Sequence, residues 1–282
     1  MPAGGVTGAS TCQRPSSPDE PFATLETISP EMAKQYLATS KGNRRIHPGR
    51  VDAYTRDMQM NRWYVGATIK FDTDGALIDG HHRLSAVLMY GFPVRFLVIR
   101  KLPPESVAGI DVGQTRRHHQ ISKFAGENFS PRHFAIAKRI EYGFSNGSCL
   151  SYDESRDAIL KYLDAINFAV LNAGKERHTN ATVLAVVAKA WYSQDHDRLK
   201  QFLDVLKHGL ATSEKDWGAV KLREYLTSAR EMHISVDSPG TYLRVHSALH
   251  NFCKGKPVQI LRPSTKDLFP LTLNADGKVV PA

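Results

Sequence analysis

Hydrophobic and polar positions change texture partway along this chain. Up to about residue 128, short apolar runs bounded by turn residues are interleaved with amphipathic stretches; beyond it every apolar pattern has helical spacing. In the first part, SPEMAKQYLATS predicts a short helix with Ser29 as N-cap and Pro30 at its first position. PGRVDAYTRDMQMNRW predicts a second, with Val51, Tyr54, Met58 and Trp63 on one face. ATIKFD and ALID read as two strands joined by a TDG turn. A third helix after Gly80 places Leu84, Val87, Leu88 and Met89 on its buried side and stops at Tyr90-Gly91. VRFLVIR is a buried strand, followed by a loop with a short helix at PPESVAGIDVG.

From SPRHFAIAKRIEYGF through SYDESRDAILKYLDAINFAVLNA, ATVLAVVAKAWYSQD, HDRLKQFLDVLKHGL and SEKDWGAVKLREYLTSAR to SPGTYLRVHSALHNFCKG, the pattern is helix after helix, several with Ser or Thr at the start. The expected fold class is α+β. It comprises a small mixed domain over residues 23–128 and an all-helical domain over 129–254. Residues 1–22 read as a disordered leader and 255–282 as an extended or disordered tail broken by Pro and Gly. No fixed-period repeat is present.

Composition narrows the function classes. No apolar window is long enough for a membrane span, and the N-terminus lacks the apolar core of a signal peptide. Cys12, Cys149 and Cys253 lie far apart without a CxxC pair, which argues against a disulfide framework or structural zinc and for a reducing, cytoplasmic setting. The formal net charge of +9 suits a polyanionic partner, and KGNRRIHPGR and QTRRHHQ concentrate cations.

The densest chemistry lies in LIDGHHRLSAVLMYGFPV. A strand running through Asp79-Gly80 directly into a helix makes an anion site. The first helical N–H groups lack intrahelical partners, the helix dipole is positive there, and glycine lets a phosphate come close. Arg83 offers a planar fork of donors to phosphate oxygens. His82 can donate a hydrogen bond or exchange a proton, and Asp79 can bind Mg²⁺ or act as a base. The adjacent pairs His81-His82 and His118-His119, with His133, do not form a metal pattern, because neighbours on a helix do not face one another. There is no P-loop and no nucleophile elbow.

IDGHHRLSA resembles the phosphate-binding motif of the ParB/sulfiredoxin superfamily. ParB-type proteins have Gly-Glu-Arg-Arg there, and sulfiredoxins Gly-Cys-His-Arg. The order around it agrees: NRRIHPGRVDAYTRDMQMNRW is similar to the Asn-Pro-Arg segment and first helix of the ParB N-terminal domain, and GATIKFDTDGALIDGHHRL to the strand pair before the motif. The resemblance covers roughly residues 25–125. It implies binding of ATP or CTP with Mg²⁺, with Gly80, His81, His82 and Arg83 as the phosphate loop and Asn43, Arg44 and Arg45 lining the other side. Asp111, Gln114, Arg116 and Arg117 would lie near the triphosphate. His81 stands where sulfiredoxins carry the reactive cysteine, so sulfinic-acid repair is not expected.

Two functions follow from the resemblance. The first is a ParB-like, DNA-associated nucleotide-binding protein. It would use a helix-turn-helix at ISKFAGENFSPRHFAIAKRI (Ile121 to Ile140), with Arg132, Lys138 and Arg139 facing DNA. The second is a phosphotransferase acting on a small hydroxyl compound or modified base, with Asp79 as catalytic base (Asp111 or Glu105 in its place) and His82 assisting. The amphipathic faces leave a homodimer open.

Overall fold

The computed structural model describes residues 20–40, 45–109, 116–144 and 149–282. The chain divides into two compact units between residues 115 and 116. Asn43, Arg44, Asp111, Gln114 and the leader up to residue 19 lie outside the described residues.

The first unit opens with a strand that the hydrophobic pattern did not suggest, β1 (Phe22–Ile28). Next come α1 (Pro30–Ala38), α2 (Pro48–Gln59), β2 (Thr68–Asp72), β3 (Leu77–Asp79), α3 (His81–Tyr90) and β4 (Val94–Leu102). The sheet order is β1-β4-β2-β3, with β4 antiparallel to β1 and parallel to β2. The Ser29 hydroxyl accepts from the Met32 N–H at 3.3 Å, the expected N-cap of α1. Asp72 closes the β2–β3 turn by accepting the Ala76 N–H at 2.7 Å. Ile28, Ile69, Leu77, Leu84, Val87, Phe96 and Val98 form the core, with α1 and α2 both packed on α3. Each such side chain contributes roughly 1.5–3 kcal/mol by leaving water. Leu88 and Met89, expected to face inward, are 40% and 60% exposed; Ala86 is buried instead.

The second unit holds α4 (His118–Phe124), α5 (Pro131–Tyr142), α6 (Tyr152–Lys161), α7 (Leu163–Ala173), α8 (Ala181–Ala190), α9 (His196–His208), α10 (Trp217–Glu231) and α11 (Pro239–Cys253). The architecture is α+β, as the pattern predicts. The boundary lies earlier than residue 128 because α4 packs against α5. Ser122 knits the intervening turn: its hydroxyl donates to the Glu127 carbonyl at 3.0 Å and accepts the Phe129 N–H at 3.3 Å. The long helix expected over 151–173 is two helices, broken at Tyr162, whose backbone leaves the helical region. Every residue from Thr182 to Ala190 is buried, so α8 is the central helix. Gly218 admits the close crossing of α10 and α11, since a Cβ there would lie 2.7 Å from the Ala248 carbonyl oxygen.

The segment after residue 254, expected to be extended or disordered, is an extended strap packed on the helical core. Phe269 is 3% exposed within the helical core, and β5 (Leu271–Leu273) pairs with β6 (Val279–Pro281). Asp267 anchors it, accepting from Lys189 of α8 and from Tyr242 of α11. His246 of α11 is fully buried between Tyr242 and Phe269. Its Nδ1 accepts the Leu268 N–H at 3.2 Å and its Nε2 has no partner. Burial pushes the His246 pKa down to about 4, Asp267 opposing and Lys189 reinforcing. The unfolded chain therefore takes up this proton first as pH falls from 6.5 towards 4, and folding stability falls over that window. We expect a loss on the order of 2 kcal/mol there. Urea unfolding at stepped pH checks it: His246→Asn should flatten the wild-type dependence, and an unchanged slope would refute the assignment.

Candidate anion-binding site

The β3–α3 junction is built as the strand–glycine–helix pattern requires. Gly80 is the N-cap of α3 at φ 111°, ψ 6°, a conformation that side-chain-bearing residues rarely adopt. The space is closed too: a Cβ on Gly80 would lie 2.5 Å from Ile69 Cδ1. The Gly80 carbonyl accepts the Leu84 N–H at 2.9 Å, and no side chain caps the helix. The N–H groups of His81, His82 and Arg83 thus have no intrahelical acceptor at the positive end of the dipole.

The residues around this helix start differ in role from the sequence expectation. His82 Nε2 accepts the backbone N–H of His47 at 2.9 Å, which ties the entry to α2 onto the start of α3. His82 is therefore a neutral structural acceptor on that nitrogen, not a ready proton donor there. Burial lowers its pKa first, then the positive charge of Arg50, with His81, His47 and Arg83 adding to the effect. His81 Nδ1 lies 3.2 Å from the Ser40 hydroxyl at the end of α1, and burial lowers its pKa. Arg83 turns back along its own turn, donating to the Thr68 carbonyl at 2.8 Å and to Asp79 Oδ1 at 3.3 Å. Lys70 holds the other carboxylate oxygen of Asp79 at 3.2 Å. Asp79 is thereby clamped between two cations, which suits neither a free base nor a strong metal ligand. Among the described residues no group of three or more His, Cys, Asp or Glu could hold a metal ion.

Sequence reasoning placed Gly80, His81, His82, Arg83 and Asp79 together, and the fold brings them together. It missed Ser40, His47, Arg50 and Lys70, which complete the surroundings. Arg50 and Lys70 carried a signal, being cations on elements that flank the motif; the His47 contribution is a backbone N–H and leaves no trace in sequence. Arg45 is exposed just before α2. Glu105 is exposed in a short 3-10 turn, Pro104–Gly109. Arg116 belongs to the second unit, its guanidinium 4.7 Å over the Phe124 ring.

A groove of about 310 Å³ opens in the first unit, lined by Tyr36, Thr39, Phe71, Arg100 and Lys101 among others. It lies at the Asp72 end of β2, whereas Arg83 meets the strand at Thr68, so none of the expected site residues lines it. The Arg100 guanidinium is already held by Glu26 at 2.7 Å and the Tyr36 hydroxyl at 2.9 Å, over the Phe71 ring.

In the helical unit, two of the three cations expected to face DNA are engaged internally. Arg132 donates to the Gly174 carbonyl at the end of α7. Arg139 grips both oxygens of Asp237, at 2.8 and 2.7 Å, and stacks on Phe144. Lys138 is exposed. α5 itself packs against α4, α6, α7 and α8. Its exposed face carries Pro131, Ala135 and Lys138, so of the three expected cations Lys138 alone lies on the open side of α5.

Comparison with known protein families, with characterised proteins and with solved structures finds no match to this chain. Among the described residues no helix is long and apolar enough to cross a membrane.

Proposed function

We propose that the first unit binds the phosphates of a nucleotide, ATP or CTP with Mg²⁺, at the start of α3, in a protein that associates with DNA through its second unit. The observation that carries the nucleotide reading is the uncapped α3 N-terminus. Three backbone N–H groups follow a glycine held at φ 111°, ringed by Arg50, Arg83, His47 and Lys70. An incoming phosphate would replace the missing cap and draw Arg83 from Asp79 towards its oxygens, leaving Lys70 to hold the carboxylate. The DNA reading is supported by charge. Residues 116–282 hold 24 of the 37 Lys and Arg but 17 of the 28 Asp and Glu, which makes +7 of the net +9. The clamped Asp79 favours binding over phosphoryl transfer, because a base must be free to take a hydroxyl proton.

Calorimetric titration of ATP and CTP with Mg²⁺ into wild type and Arg83→Ala, with and without DNA, tests this. Binding by wild type and roughly tenfold weaker binding by the variant are expected, the loss of one charge-assisted contact. Equal affinities, or none for either nucleotide, would refute the site. Turnover appearing only with a small hydroxyl acceptor would restore the phosphotransferase reading.

A further inference from the structure

We infer that the α4 ledge of the second unit, Arg116, Arg117, Lys123, Phe124 and the adjacent Lys138, binds single-stranded nucleic acid. The inference rests on the second unit's affinity for nucleic acid and does not depend on the α3 site. Arg116, Arg117, Lys123 and Phe124 are exposed along and just before α4, and Lys138 is exposed on α5. Lys138 lies on α5, which packs against α4, and its charge lowers the His118 pKa, second to burial. None of these four cations forms an ion pair among the described residues. Of the described carboxylates close in sequence, Glu127 in the turn after α4 is engaged by Arg156 at 2.5 Å and the Tyr152 hydroxyl at 2.9 Å, and Glu141, three residues from Lys138, by Lys161 at 2.6 Å. Among the described residues the ledge therefore carries unbalanced positive charge.

A flat ring stands within that charge. Phe124 is 77% exposed, and its ring packs against the guanidinium of Arg116 at 4.7 Å. His118 packs edge to face on Phe134 and Tyr152, which ties α4 to α5 and α6. Flexible cations beside an open aromatic face suit a strand whose bases are free to stack and whose phosphates run past them. A duplex hides its base faces. On α5, Arg132 and Arg139 bind within the unit, which leaves Lys138 as the cation of that helix open to a groove.

The test uses the full chain and fluorescence anisotropy with a labelled 20-mer oligothymidylate and a labelled 20-base-pair duplex over a series of salt concentrations. The single strand is expected to bind at least tenfold more tightly than the duplex. Phe124→Ala should weaken the single-strand complex about tenfold with little change in salt dependence, as a lost stacking face does. Arg116→Ala/Arg117→Ala/Lys123→Ala should weaken it more and reduce the log–log salt slope by about 2. Because all four residues are exposed, the variants keep the fold, and their circular dichroism serves as the control. Duplex binding that these substitutions leave unchanged would overturn the ledge while sparing DNA association. No binding to either oligonucleotide would overturn both. Nucleotide titration of Phe124→Ala should match wild type.

Discussion

Asp267→Ala is expected to destabilise the helical unit by about 3 kcal/mol. The Lys189 side chain is 10% exposed in the central helix, and Asp267, on a strap 78 residues further along the chain, is its counter-charge. Deleting the carboxylate leaves an ammonium in a low-dielectric setting and removes an acceptor from Tyr242 and from the Phe269 N–H. Asp267 itself is 31% exposed, which keeps the figure below the top of the range for buried pairs. Urea unfolding monitored by circular dichroism measures the loss. Lys189→Met/Asp267→Ala should recover most of it, because the double change removes the stranded charge. A loss below about 1 kcal/mol in the single variant would mean that the strap contributes little.

Gly80→Ala should harm both stability and binding in the first unit. An alanine at φ 111° sits outside even the small left-handed region open to side-chain-bearing residues, which costs about 1–3 kcal/mol. The added methyl would also press on Ile69 at 2.5 Å, a fully buried core residue of β2. It points into the sheet rather than towards the open helix end. Any loss of phosphate binding therefore reports a shifted α3 rather than a blocked approach. Thermal unfolding and nucleotide titration of the same variant check both effects, and wild-type values in both would contradict the proposed role of this junction.

Local signals were legible in the sequence and long-range ones were not. Ser29 and Pro30 announced α1, and Gly80 and Gly91 bracketed α3, because caps and glycine stops act within one turn. β1 escaped notice because it is an edge strand whose residues from Ala23 to Leu25 are all exposed, which erases the two-residue alternation. The strap escaped because its Pro and Gly breaks hide any periodicity, and Asp267 meets Lys189 and His246 only through the fold. Arg139 read as a surface cation for the same reason, its partner Asp237 being 98 residues away. At the α3 site, the strand–glycine–helix pattern suggested an anion cradle. It could not reveal that His82 accepts from His47, or that Arg83 and Lys70 close on Asp79, since those bonds depend on how α2 and β2 meet the helix.

The three N–H groups at the start of α3 are where nucleotide binding is tested most directly. Amide chemical shifts of His81, His82 and Arg83, followed by two-dimensional NMR of the deuterated protein during titration with ATP or CTP and Mg²⁺, read those groups one by one. Saturable shifts concentrated on these three amides, weakened in Arg83→Ala, are the expected result. Shifts centred on the Tyr36–Phe71–Arg100 groove, or no shifts at millimolar nucleotide, would contradict it.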